Sequence, residues 1–409
     1  ARPTGGAMLA YALVAAVALL AVQLWNINPT RADMRFQQGQ SLAERAGFDA
    51  NLLLQTLDDY LVTVRLNPRE DFYYLNLGRV LMSLAESQRA QSGDVGAPKP
   101  DATVEDLLRL RDTSAIMSFV QSNSPSAIMS YAEAVLLRAH ELNPLNKDHY
   151  ANLGRLNSYW SRWSGDPTRL QTALEWYEQV TPIAPQDVTL LNERAGVLVE
   201  LGAHSAAAGD AAQAERYYAE ARELLARSAE LDPNYVDTQV RLGDLARAGG
   251  DLEAAAGFYE RAIALAPDTV VSSIEAIAEA MAPRPDLILR LRDAYAAAAA
   301  AQEARLPAAD TEAARAQVAL LHTVTGLLAV RGGDVSSSLE PYRRAAELQP
   351  ANPTYSRNYS IVLSDTNRLD EAIAETERVI GVLRAQPGSQ QAISEAEGLL
   401  QLFQLIRGG

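Results

Sequence analysis

Residues 235–268 read YVDTQVRLGDLARAGGDLEAAAGFYERAIALAPD, and this stretch decides the fold. Helical spacing of apolar residues on both sides of Gly249-Gly250-Asp251 describes two helices joined by a tight turn. Gly243 removes a Cβ where the two helices cross, so their backbones can approach. Gly249-Gly250 ends the first helix and turns the chain. Ala262 offers a small surface to whatever follows, and Pro267 closes the second helix because it cannot continue one.

The pattern recurs along the chain. Gly326 precedes Pro350 by the same interval as Gly243 precedes Pro267, with RGGDVSSSLEPYRRAAELQP between them. Tyr74-Leu75-Asn76-Leu77-Gly78 leads to Asn143-Pro144, Tyr150-Ala151-Asn152-Leu153-Gly154 to Pro185, and Ala195-Gly196 to Leu231-Asp232-Pro233. Gly39 with Asn67-Pro68 makes a degenerate first unit. Residues 269–307 and 353–388 are degenerate as well, the latter with Ser360 in the glycine position. No run of alternating β-branched residues follows Ala32.

These marks resemble the tetratricopeptide repeat, a 34-residue helix–turn–helix. The resemblance covers most of residues 39–388. It implies an all-α fold, a right-handed superhelical solenoid of about seven or eight units, preceded by one long apolar helix. The expected organisation is an apolar helix over residues 1–30, a solenoid over 31–388 and a capping helix over 389–409, because end units of such arrays have an uncovered face. Residues 89–124 interrupt the second unit. Around the start of this insertion, SQRAQSGDVGAPKP reads as a flexible loop, and VEDLLRLRDTSAIMSFV reads as an extra amphipathic helix.

Residues 3–30 carry no charged side chain, and 5–25 are almost entirely apolar. As a helix the apolar run rises about 31 Å, which matches a hydrocarbon core of roughly 30 Å. Trp25 stands where an interfacial aromatic belongs. Arg2 lies before the run and Arg31 and Arg35 after it, so basic residues do not fix an orientation. Three readings stay open: a transmembrane anchor, an uncleaved signal segment, and an apolar helix buried in an assembly. Small residues four apart, Gly6 with Ala10 and Ala12 with Ala16, allow close helix contact, and equally mark an Ala-rich helix. Val14, Leu19, Leu20 and Leu24, with Leu402, Phe403 and Leu405 at the other terminus, are the candidate assembly contacts. The chain opens Ala1-Arg2-Pro3 without Met, so a removed start or a longer parent polypeptide is expected.

A net charge of −15 disfavours nucleic acid. There is no cysteine, which excludes disulfides, thiolate metal sites and thiol nucleophiles, and suits an extracytoplasmic compartment. His140, His149, His204 and His322 fall in different units without metal-ligand spacing, and His322 takes the place of a packing aromatic. Phosphate-cradling, Gly-x-Ser-x-Gly and calcium-loop motifs are missing. The expectation is a non-catalytic chain with no cofactor and no metal. Its partners would be proteins or copies of itself, not nucleic acid. Asn358-Tyr359-Ser360 is a formal glycosylation sequon.

In the family, the first helix of each unit forms a concave groove that often seats a peptide or another helix. Counting from each glycine, the resemblance puts Phe72, Leu75, Arg79 and Met82 in that groove, then Asp148 and Arg155, then Val240, Asp244 and Arg247. Tyr159, Trp160, Trp163 and Trp176 crowd the third unit. Exposed, they would stack on sugars or partner side chains; buried, they would wedge between units. The expected function is a tethered scaffold for protein–protein interaction, bacterial, with extracytoplasmic repeats or an extracellular assembly. Head-to-tail self-assembly into a filament is its sharper form. A second reading comes from Asn26-Ile27-Asn28-Pro29, Ala32-Asp33 and LNPREDFYYLNLGRVL. These resemble the C-terminal region of bacterial O-antigen ligase or polymerase-like membrane proteins, which implies the non-catalytic tail of a membrane glycosyltransferase.

Overall fold

The computed structural model describes residues 5–47, 49–308, 311–386 and 388–408, in two compact units, residues 1–214 and 215–409. Among the described residues every regular element is a helix. Arg2, whose position bears on orientation, lies outside them.

The first unit begins with α1 (Gly5–Val22), a π-turn (Gln23–Ile27) and α2 (Asn28–Ala46). From Met8 to Ala46 they form one continuous helix of 39 residues, about 59 Å long. Its first half is bare: Leu9, Leu13, Val14, Leu19, Leu20, Leu24 and Trp25 are all exposed, Leu19 by 71%. Its second half belongs to the fold. Phe36 stacks on Tyr60 of α3 (Ala50–Leu66) with ring centroids 5.3 Å apart, Arg35 pairs with Asp59 at 3.1 Å, and Asp33 accepts a hydrogen bond from Tyr73.

Next come α4 (Asp71–Ser92), α5 (Val104–Leu108), α6 (Thr113–Ser122) and α7 (Pro125–Leu142), then α8 (Lys147–Ser164), α9 (Pro167–Val180) and α10 (Val188–Ala207). The helix pairs are α2 with α3, α4 with α7, and α8 with α9. Short polar side chains start the helices: Asp49, Ser124, Asn146, Asp166 and Asp187 each accept a backbone N–H of the following first turn. At every pair a glycine of the first helix meets a large side chain of the second. A Cβ on Gly39 would come within 2.7 Å of Tyr60, on Gly78 within 2.6 Å of Leu136, and on Gly154 within 2.6 Å of Tyr177. One apolar core runs through Leu57, Leu61, Leu77, Leu81, Leu136 and Leu153.

The turn between α7 and α8 is tied to the head of α4. Asp71 accepts hydrogen bonds from Asn143 Nδ2 (3.2 Å), Asn146 Nδ2 (3.1 Å) and the fully buried His149 Nε2 (2.6 Å). His149 therefore serves the junction between consecutive pairs.

The insertion departs from its sequence reading twice. α4 runs on to Ser92, and the segment after it is pinned rather than free. Ser126 N donates to Val95 O (2.9 Å), Lys99 N to Ser130 Oγ (3.0 Å), and Ser124 Oγ to Ala97 O (2.8 Å). The expected single helix is split into α5 and α6, because Asp112 turns its carboxylate onto the N–H of Ala115 and starts a new one. Gly96 has φ +63°, and a Cβ there would lie 2.3 Å from that of Ser124. Gly96→Ala is expected to cost ~1–2 kcal/mol by adding left-handed strain to a clash. Hydrogen exchange checks it: the Ser126 and Lys99 amides should lose protection while α2 and α3 keep theirs.

The second unit holds most of α11 (Ala211–Leu231), then α12 (Val236–Ala248), α13 (Leu252–Leu265), α14 (Asp268–Val271), α15 (Ile274–Ala280), α16 (Pro285–Glu303), α17 (Glu312–Arg331), α18 (Leu339–Leu348), α19 (Pro353–Asp365), α20 (Leu369–Arg384) and α21 (Gln390–Gly408). The Gly-Gly-Asp turns behave alike. Gly250 and Gly333 both sit at φ +82°, and the N–H of Asp251 and Asp334 return to Ala246 O and Ala329 O at 2.9 Å. Gly243 against Tyr259 and Gly326 against Tyr342 repeat the close approach of the first unit, while Ser360 takes a hydrogen bond from Thr376 at 3.1 Å in the same role. Where residues 269–307 are degenerate, the first helix breaks into α14 and α15. Both still bury apolar side chains with α16, in a core that includes Tyr259, Ile277, Leu291 and Tyr295.

α17 is the second helix long and apolar enough to cross a membrane, but Leu321, Val324 and Leu328 lie in the core, as a repeat helix requires. α21 lies along α20 and buries Phe403 to 3% exposure against Leu363, Ala372 and Ile373. Phe403 is thus spent inside the unit, while Leu402, Leu405 and Ile406 are exposed.

Candidate partner-binding cleft

In the first unit α4 and α8 share one face. Residues three, four or seven apart on a helix line up. α4 accordingly presents Arg79, Met82, Ser83, Glu86 and Arg89, and α8 presents Asn152, Arg155, Tyr159, Arg162 and Trp163. Between them is a cleft of about 690 Å³ with Met129 of α7 as its floor.

Charge on the walls is ordered. Arg155 pairs with Glu193 at 2.7 Å, and Arg162 with Glu200 at 2.6 Å. Both partners lie seven residues apart on α8 and on α10, so the two bridges form rungs between the first helices of consecutive pairs. Burial opposes the Arg155 cation, yet the Glu193 carboxylate outweighs it and raises the guanidinium pKa. Arg89 pairs with Glu86 at 2.7 Å and lies 5.2 Å from the centre of the Trp163 ring; Arg162 lies 5.6 Å from that of Tyr159.

Of the residues assigned to the groove by resemblance, the structure brings together Arg79, Met82 and Arg155. Leu75 is 1% exposed and belongs to the core, so it offers nothing to a partner. Phe72 is exposed but tilts against Phe36, and Asp148 is exposed in the first turn of α8. Val240, Asp244 and Arg247 lie in the second unit. There Val240 packs against the core, and Asp244 accepts the Tyr259 hydroxyl at 2.7 Å with Arg247 beside them, so the two charges serve each other and the ring. Burial, then the Asp244 charge, raise the Tyr259 pKa.

The aromatic group divides. Trp160 is 3% exposed, donates to Ser126 Oγ at 3.3 Å and lies 3.7 Å beneath the Arg169 guanidinium, so it is an interior wedge and not a surface. Trp176 meets His140 and Tyr150 edge-on. Tyr159 and Trp163 alone reach the cleft. Asn152, Arg162, Arg89 and Met129 were not singled out by the sequence reading, although the arginine spacing on α4 and α8 carried a signal for two of them.

His322 is more than a packing residue, since its Nε2 meets Glu303 at 2.8 Å. The sequon lies within α19, where its Ser360 is buried. Among the described residues no group of three or more His, Asp or Glu is placed to hold a metal.

Comparison with known proteins agrees with this packing. Residues 193–268 and residues 323–389 each match a tetratricopeptide-repeat family model, so the chain carries tetratricopeptide repeats. No curated protein sequence matches it. Similar solved structures include a tetratricopeptide repeat protein from Parabacteroides merdae, with 10% identity, 92% of this chain and 99% of that one covered, and a TM-score of 0.36. Another is YrrB, described as a TPR protein with an unusual peptide-binding site, at 13% identity, 64% and 97% coverage and a TM-score of 0.28. A third is a thermophilic TPR protein of Thermus thermophilus, at 17% identity, 62% and 99% coverage and a TM-score of 0.26. The assignment rests on the matched residues and the repeated glycine contacts, not on these superpositions.

Proposed function

We propose that this chain is a non-catalytic scaffold whose repeats receive a protein partner, tethered by its N-terminal apolar helix and assembling head-to-tail with copies of itself. Repeat arrays expose much surface for their mass, and tetratricopeptide proteins generally serve protein interaction. The observation that carries the tether is the unbroken helix from Met8 to Ala46. Its apolar half is exposed, while its other half is locked into the first pair. Such a surface is covered by lipid or by protein. A head-to-tail contact of this kind, if its rotation does not close, gives a filament.

Two preparations test it without detergent. The full chain should form filaments or large complexes, and a variant lacking residues 1–27 should run as a single small particle. Monodisperse full-length particles by electron microscopy would remove self-assembly. A native pull-down that recovers neither a partner nor another copy would remove the scaffold. The reading of the repeats as an extracytoplasmic tail of an O-antigen ligase-like enzyme rests on residues 26–39 and 66–81 alone, and the coding sequence upstream decides it.

A further inference from the structure

The α19–α20 pair departs from the two tight repeats before it. Gly243 packs on Tyr259 and Gly326 on Tyr342, each ring lying over a bare glycine. Ser360 of α19 and Thr376 of α20 keep the same spacing in the chain. A threonine fills far less space than a tyrosine, and the serine hydroxyl returns only part of the loss. What remains is a cavity of about 60 Å³ where α21 meets the pair, lined by Ser360, Thr376, Val379 and Leu399, with Arg357 and Glu395 at its rim. Ser360 and Thr376 are each 1% exposed. The Thr376 hydroxyl donates to Ala372 O at 2.8 Å and reaches Ser360 Oγ at 3.1 Å, which leaves the Ser360 proton without an acceptor among the described residues. A buried donor left unmatched is costly. The rim residues are exposed and opposite in charge. Among the described residues Arg357 has no ion-pair or hydrogen-bond partner, and Glu395 accepts only from a neutral amide, Gln391 Nε2, at 3.1 Å.

We infer that this cavity binds a small free hydroxy amino acid, serine in size and chemistry. An apolar cavity of about 150 Å³ takes benzene, so by proportion the enclosed space here suits roughly two or three non-hydrogen atoms. That is the size of a hydroxymethyl side chain, whose oxygen accepts the spare Ser360 proton. The head of the molecule stays at the rim, its carboxylate on Arg357 and its ammonium on Glu395. One charge of each sign selects a zwitterion over a simple anion or a simple amine, because either of those leaves one rim charge unmatched. Arg357 belongs to α19 and Glu395 to α21, so the ligand ties the capping helix to the last pair. The site is independent of the scaffold reading.

Isothermal titration calorimetry of the full chain in dodecyl maltoside micelles tests it. L-Serine should bind at a single site per chain. Alanine, glycerate and ethanolamine lack the hydroxyl, the ammonium and the carboxylate in turn, and each should bind at least about tenfold more weakly. Arg357→Gln should weaken serine by a similar factor, while Arg109→Met, an exposed site in the first unit, should leave it unchanged. The double variant Ser360→Gly, Thr376→Tyr rebuilds the glycine–tyrosine contact, fills the space and should abolish binding. Where exchange protection of α19 and α20 shows that this variant has not folded, Arg357→Gln decides alone. Saturating serine should also raise amide protection in α21. An absence of serine binding would overturn the assignment and leave a cavity that holds water. So would equal affinity for the four compounds, an Arg357→Gln protein that binds as the wild type does, a folded double variant that still binds, or α21 protection that does not change.

Discussion

Gly154→Val is expected to destabilise the α8–α9 pair by about 3 kcal/mol, the upper end of what overpacking a core costs. Even a bare Cβ at Gly154 would stand 2.6 Å from Tyr177 Cζ and 2.7 Å from Cε2. The ring cannot step aside, because Tyr177 is 2% exposed and closed in by the pair. Gly154→Ala should show the same sign at smaller size. The control is Gly257→Ala in α13, where nothing lies within 4 Å of the new methyl. There the gain in helix propensity should stabilise by ~0.5–1 kcal/mol. Repeat arrays open piecewise, so the measurement is hydrogen exchange resolved by helix. Loss of protection in α8 and α9, with gain in α13, is the expected pair of results. Equal effects of the two alanines would show that glycine marks helix flexibility here and not contact.

That contrast explains what could be read from the sequence. Gly243 and Gly326 stand equally far before Pro267 and Pro350, while Gly39, Gly78 and Gly154 precede Pro68, Pro144 and Pro185 at longer and unequal intervals, so the order of glycine, second helix and turn proline marks the helix pairs even where insertions stretch the spacing. The pairs are where that order puts them. The insertion was less legible, because its hydrogen bonds join residues far apart in sequence: Val95 to Ser126 and Lys99 to Ser130. A Gly- and Pro-rich stretch looks the same whether pinned or free. The cleft was half legible. Helical position gave Arg79, Met82 and Arg155, but not that Leu75 turns inward or that Asp244 and Arg247 satisfy each other. Trp160 takes the wedge alternative and Phe403 packs within the capping helix, a choice the sequence left open because an aromatic residue's type says nothing about which side of a helix its neighbours occupy.

Asp71→Ala should cost about 2–3 kcal/mol at neutral pH, although Asp71 shows no sequence mark beyond an acidic residue in the first turn of a helix. The carboxylate gathers three donors that do not weigh equally. Asn143 and Asn146 are half-buried, so water can replace the acid for them. His149 is fully buried, and its Nδ1 already lacks a partner. Stripping Nε2 as well leaves a second buried polar atom unsatisfied, a penalty of roughly 1–3 kcal/mol by itself. Burial pushes the Asp71 pKa up, but the hydrogen bonds from Asn146, His149 and Asn143, with the His149 charge, outweigh it and set it below the usual carboxylate value. A pKa depressed by folding stabilises above the unfolded value, ~3.9 for Asp, and that contribution fades as pH falls through the folded value. The wild type should therefore hold its advantage over Asp71→Asn above the ordinary aspartate value and lose it progressively as pH falls below about 4. Exchange protection of the α4 and α8 amides, followed across that range in both proteins, checks the sign. A difference that stayed constant with pH would mean that Asp71 acts through shape and helix capping, with its charge irrelevant to the junction.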